Sequence, residues 1–136
     1  MSHYTQIQTQ IREVPILLNV LGEMGFHTVE CHEQAQHLYG YQGDVRPETA
    51  EVIIRRRFIG SAANDVGFKR RDSGEFQAII SEYDRATRCN AAWLQELNRR
   101  YAYNLIHDQA KEQNLIVEEE QTLENGDIVI ILSERG

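Results

Sequence analysis

The chain has 136 residues, an apolar fraction of 41% and a formal charge of −7. That length fits one domain able to bury roughly two-thirds of its unfolded surface, and the apolar fraction supplies one core. The acidity argues against generic binding to nucleic acid or anionic membrane, and the longest apolar runs, such as IVIIL, fall far short of the about 20 residues a bilayer span requires.

In chain order, Tyr4 to Ile11 alternates, with Thr5, Ile7, Thr9 and Ile11 on one face, so a half-buried strand is expected. Pro15 suits the first turn of a helix, and Val14, Leu17, Leu18, Leu21 and Met24 follow at helical spacing up to Gly25. From Phe26 to Tyr83 the pattern shortens into strands: HTVEC, QHLYGYQGD and EVIIRRRFI. After the turn GSAAND come DVGFKR and FQAIISEY, joined by a three-residue loop at Asp72, Ser73 and Gly74.

A long helix follows from Asn90, its stripe formed by Leu94, Leu97, Tyr101 and Leu105 and widened by Trp93, Ala102 and Ile106. Behind it, apolar runs flank Asn125-Gly126, the pair that a type I′ hairpin turn demands. Ile128, Ile130 and Leu132 share one face of the last strand and Val129 and Ile131 the other; burial of both within the main sheet is the simplest reading. In the preceding strand Leu115 and Val117 face the core, with Glu118 and Glu120 toward solvent. The order β-α-β-β-β-β-α-β-β has no βαβ alternation. It predicts a two-layer α+β fold over 1–136 as a single domain, an antiparallel sheet carrying both helices on one face. The core is expected from Ile7, Ile11, Leu17, Leu18, Leu21, Val52, Ile54, Phe68, Ile79, Leu94, Leu97, Tyr101, Val117, Ile128 and Ile130.

Four segments carry a resemblance: MSHYTQIQTQIREV, YGYQGD, DVGFKR…GEFQAIISEYD, and above all RYAYNLIHDQAKEQNLIVEEE. Together they resemble the hypothetical chloroplast open reading frame thirty-five family, small soluble proteins of cyanobacteria, plastid genomes and some other bacteria. The resemblance implies no assigned activity, supplies no catalytic or binding residues, and implies an intracellular setting, the plastid stroma where the gene is plastid-encoded. The opening MSHYTQIQTQ lacks the basic and apolar regions of a secretory signal, which also points to the cytoplasm.

Chemistry-bearing residues are sparse. His27, Cys31, His32 and His37 lie close in sequence, but strand alternation sends His27 and Cys31 to one face and His32 to the other, and no Cys-x-x-Cys supports a metal site. Cys31 and Cys89 read as small, partly buried apolar residues. Glu30 and Glu33 have no spacing that unites them, and no phosphate loop, dinucleotide fingerprint or hydrolase elbow is present, so no catalytic residue, metal or cofactor is expected.

The charge is nonetheless polarised. Arg55, Arg56, Arg57, Lys69, Arg70 and Arg71 crowd the middle, and Glu118, Glu119, Glu120, Glu124 and Asp127 the end, an asymmetry that can orient a charged partner. The reading is a non-enzymatic accessory or adaptor protein that binds another macromolecule. Its candidate partner-binding residues are Arg55, Arg57, Lys69 and Arg70, together with a helical face of Arg100, Tyr103 and His107. The alternatives are a small-ligand module with its pocket between sheet and long helix, and binding of RNA or single-stranded DNA through the arginine-rich strands. A monomer is expected over an edge-strand homodimer, because the last strand is expected to be covered.

Overall fold

The computed structural model describes residues 3–135. Its elements are β1 (Tyr4–Gln8), α1 (Val14–Glu23), β2 (Glu30–Tyr39), β3 (Val45–Ile54), β4 (Val66–Arg70), β5 (Phe76–Ser81), α2 (Glu82–Ala86), α3 (Ala91–Glu112), β6 (Leu115–Thr122) and β7 (Ile128–Glu134). The order is the one read from the sequence, with a short helix α2 added. Five strands form an antiparallel sheet in the order β1-β5-β4-β3-β2.

Both long helices cover one face of that sheet. Leu17, Val20 and Leu21 of α1 and Leu94, Leu97 and Tyr101 of α3 pack with Val52, Ile54, Phe68, Ala78 and Ile80 in the main core. A smaller core on the opposite face joins Leu38, Ala50, Ile53 and Ile79. Strand alternation explains this division, since Ile53 and Ile79 flank Gly67 in register while Val52 and Ala78 flank Phe68. Gly67 is required there. A Cβ on it would sit 2.6 Å from the Cβ of Ala50, inside contact distance.

Helix α1 begins with Pro15 in its first turn, but Glu13 at its N-cap makes no side-chain capping bond. The hydroxyl of Tyr101 serves that end instead, accepting the N–H groups of Arg12 at 3.0 Å and Glu13 at 2.9 Å. One buried side chain thus fastens α3 to the turn between β1 and α1. Tyr101→Phe keeps the ring and leaves two donors without an acceptor, and is expected to cost about 1–3 kcal/mol in a denaturant titration.

Several expectations are corrected. HTVEC and QHLYGYQGD are not two strands; the single strand β2 joins the end of the first to the start of the second, with register shifts between Cys31 and Gln36 and between His37 and Tyr39 that break the alternation. EVIIRRRFI is not one strand either: β3 starts earlier, at Val45, and ends at Ile54, and Arg56–Phe58 form a short 3-10 turn. The cause is Asp65, whose carboxylate takes the Arg56 N–H at 2.7 Å and draws it away from any ladder. The end of FQAIISEY turns into α2 because the Ser81 hydroxyl accepts the Asp84 N–H, a side-chain N-cap.

The largest correction concerns β6 and β7. They form a separate two-stranded sheet that packs on α3, outside the main sheet. Val117, Ile128 and Ile130 are therefore half-buried beside α3 and lie outside both cores. The turn also differs, for only Gly126 has positive φ and Asn125 does not. Leu123 donates to Asp127, and Gly126 to Leu123, closing a three-residue loop with glycine last. The loops at 41–43 and 72–74 close in the same way, with Gly43 and Gly74 at positive φ.

Candidate functional site

Helix α3 is the beam on which the candidate surfaces are assembled. Asn90 caps it by accepting the Trp93 N–H, and the stripe of Leu94, Leu97 and Tyr101 fixes its first half on the sheet. The second half carries the hairpin. Tyr103 donates its hydroxyl to the Glu120 carboxylate at 3.0 Å, and Nε2 of His107 lies 2.7 Å from the same carboxylate. The two rings pack at 4.4 Å between centroids. Glu120 holds the Tyr103 hydroxyl above its ordinary pKa by accepting from its neutral form. One turn earlier, Arg99 donates to the Gly126 carbonyl, tying the hairpin turn to the helix.

Arg100 points elsewhere, to Glu96 at 2.8 Å and to Glu23 of α1 at 3.3 Å. The structure thus brings Tyr103 and His107 together on one acidic side chain and uses Arg100 to join two helices. Arg99 and Glu120, which complete this fastening, were not among the sequence candidates. A groove of about 540 Å³ runs between α3 and the hairpin, with Asn98, Ala102 and Ile106 on one wall and Leu123, Ile128 and Ile130 on the other. A second groove of about 500 Å³ runs along the other side of α3, against Thr9 and Ile11 beyond the end of β1.

Outward from α3 the hairpin is bare. Register places Ile131 opposite Glu119 and Val129 opposite Gln121, and alternation turns this row away from the helix. Ile106, Ile116, Leu123, Val129, Ile131 and Leu132 are all exposed, more than half of the large exposed apolar residues of the described chain. The apolar surface is thus concentrated on one lobe.

The basic residues occupy a different region. Arg55 is held on three sides, paired with Glu30 at 2.8 Å and Asp65 at 2.9 Å while its guanidinium lies over the Tyr39 ring. Arg56 donates to the Tyr41 carbonyl, and Arg57 stacks on Phe58. These side chains line an open cleft of about 450 Å³ with Tyr39, Gly43 and Asp65. Lys69 and Arg70 do not join them. Lys69 donates to Thr49, and Arg70 caps the 72–74 loop through the Gly74 carbonyl and covers Phe76.

Beneath that cleft lies a buried polar network, of which the sequence reading took Asn64 and Asp65 only as part of a small-residue turn and Ser81 as part of a strand. Asp65 accepts the N–H groups of Tyr39 and Arg56 besides the Arg55 guanidinium. Asn64 donates from both its backbone and its amide to Asp84, and Ser81 adds its hydroxyl to the same oxygen. The one sequence signal was the Ser-x-x-Asp spacing of Ser81 and Asp84.

Arg55 holds the Glu30 carboxyl down at about 2, from an ordinary value of 4.5. Because the folded value lies below the unfolded one, this pairing contributes stability above about 4.5 that is lost as pH falls through about 2. Glu30→Gln should therefore be less stable than the parent chain at neutral pH, with the gap closing across that window in acid unfolding curves.

Of the nitrogen and sulfur candidates, His32 pairs with Glu30, and Nδ1 of His37 lies 2.8 Å from the Arg46 carbonyl oxygen. Among the described residues no group of three or more His, Cys, Asp or Glu side chains is placed to hold a metal ion. Cys31 is exposed rather than partly buried, and Cys89 is fully buried. Burial, with Asp84 nearby, pushes the Cys89 thiol up to about 12.

Fold and surface together define a two-layer α+β protein with an appended hairpin lobe, and among the described residues no helix is long and apolar enough to cross a membrane. Residues 20–131 match the family described as protein of unknown function (DUF1257), and the chain belongs to that family. It is 25% identical, over 97% of its own length and 96% of the relative's, to the uncharacterized protein ycf35 of Cyanophora paradoxa. This agrees with the resemblance read from the sequence. No solved structure matches.

Proposed function

We propose that this chain is a non-enzymatic, intracellular accessory protein that acts by binding another macromolecule through its C-terminal hairpin. The observation that supports this reading is the bare apolar row of Ile116, Val129 and Ile131 on a two-stranded sheet that its own chain leaves unpaired. The hairpin is fastened to α3 at its turn by Arg99 and along β6 by Glu120, so it is presented at a fixed angle. Recognition through the arginine-rich cleft is the weaker reading, since Arg55 is consumed by Glu30 and Asp65 and Lys69 and Arg70 lie apart from it.

Affinity purification from the source cells tests the proposal, with the parent chain compared against Val129→Lys/Ile131→Lys. Both positions point away from α3, so the variant should fold. A co-purifying macromolecule retained by the parent and lost from the variant is expected; the same set with both would overturn the reading.

A small-ligand role is favoured by one observation, the groove of about 500 Å³ between the end of β1 and α3, whose size falls within the range of ligand pockets. A thermal-shift screen against metals, nucleotides, flavins and tetrapyrroles separates the two readings. A ligand bound only by the folded chain must raise its stability.

A further inference from the structure

Resting on the hairpin as the contact surface, we propose that β7 pairs antiparallel with β7 of a second copy of this chain. The two-fold axis passes through Ile131 and joins the two hairpins into one four-stranded sheet. The monomer expected from the sequence presupposed a last strand covered on both faces, whereas β7 has an unpaired edge and an exposed outer face at Val129 and Ile131.

The two edges of the hairpin differ in chemistry. Glu118, Glu119 and Glu120 run along β6, a like-charged edge that resists pairing with its own kind. From Ile128 to Ser133, β7 carries no charge at all. An uncharged, apolar, unpaired edge is the form that accepts another strand.

Backbone geometry restricts the register. Leu123 donates to the Asp127 carbonyl at 2.7 Å, so Asp127 turns its polar groups toward β6. By alternation Val129, Ile131 and Ser133 do the same, and Ile128, Ile130, Leu132 and Glu134 turn theirs to the free edge. With the axis at Ile131, Ile130 meets the partner's Leu132 and Ile128 meets the partner's Glu134 as hydrogen-bonded pairs. Val129 then faces the partner's Ser133, Ile131 faces itself, and Asp127 faces the partner's Arg135 as pairs without mutual hydrogen bonds, where side chains approach most closely.

Charge selects this register from its neighbours. Asp127 and Arg135 carry opposite signs, and the two-fold repeats their pairing at both ends of the joined strands. An axis at Ile130 would set Arg135 against Asn125, and one at Leu132 would set it against Val129; both lose the ion pairs. The pairing also accounts for Leu132. That residue shares a side with the half-buried Ile128 and Ile130 yet is 37% exposed, and the partner's Ile130 would cover it.

Sedimentation equilibrium of the full chain across a concentration series tests the proposal, with circular dichroism confirming that each variant is folded. The parent should pass from monomer to dimer. Arg135→Asp should weaken the dimer by about tenfold or more, and adding Asp127→Arg to that variant should restore it. On a Cys31→Ser background, Ile131→Cys should form a disulfide-linked dimer under mild oxidation, because the two-fold brings that position against itself, whereas Val129→Cys should not. A parent that stays monomeric throughout, a dimer indifferent to Arg135→Asp, or linkage at position 129 but not at 131 would overturn the inference. A monomer that still retains a foreign macromolecule through Val129 and Ile131 removes the dimer and leaves the accessory reading standing. A charge-dependent dimer whose co-purifying set is unchanged by Val129→Lys/Ile131→Lys does the reverse.

Discussion

Asp65→Ala is expected to destabilise the chain by about 3–5 kcal/mol, the range for removing one partner of a buried ion pair. Asp65 is only 1% exposed, and its two oxygens take the N–H groups of Tyr39 and Arg56 and the guanidinium of Arg55. Alanine would leave all three donors without this acceptor. Glu30 remains beside Arg55 but is itself on the surface side of the cleft, so it compensates only in part. The damage would spread through geometry as well, since the same carboxylate ends β3 and fixes the end of β2. Asp65→Asn keeps one acceptor oxygen but turns an amide donor toward another donor, so its cost should be intermediate. Urea titration of the three proteins measures the series. Equal stability of Asp65→Ala and the parent would show that the network is solvated rather than structural.

How much of this was legible in the sequence depended on how local each signal was. The stripes of Leu17 and Leu21, and of Leu94, Leu97 and Tyr101, could be read because helical periodicity lies within a few residues, and all five are buried in the main core. The loop at 72–74 was read correctly, while Asn125-Gly126 suggested a tighter turn. In the structure the loop takes in Glu124 as well, and only glycine is asked for positive φ. Asp65 gave no warning, because its partners arrive from Tyr39, Arg55 and Arg56 and become neighbours only once β2, β3 and β4 are assembled.

The last strand was misplaced for a different reason. Ile128 to Leu132 is apolar on both faces, which periodicity reads as burial, but a sequence pattern cannot say whether the covering surface belongs to the same chain. Something similar holds for Arg100, Tyr103 and His107. Their spacing put them on one side of α3, as read, yet the acids that engage them, Glu23, Glu96 and Glu120, come from α1, α3 and β6 in turn. A face that looked free on the helix alone is taken up, by α1 at Arg100 and by the hairpin lobe at Tyr103 and His107.

Leu97→Ala is expected to cost about 2–5 kcal/mol, as for other buried leucines cut back to alanine. Leu97 of α3 is fully buried, within the core that also holds Leu17, Leu21, Phe68 and Ile80. The same substitution bears on how the molecule divides in stability. Because the hairpin packs on the second half of α3 and stands outside the main sheet, its amides should exchange by local opening. Amides of β7 should therefore exchange faster than those of β4 and β5 in the monomeric chain, and Leu97→Ala should speed β4 and β5 by the full loss of global stability. Ile131→Lys, on the bare outer row, should leave β4 and β5 unchanged. If Leu97→Ala accelerated only β6 and β7, α3 would belong to the hairpin lobe rather than to the core, and the division drawn here would be reversed.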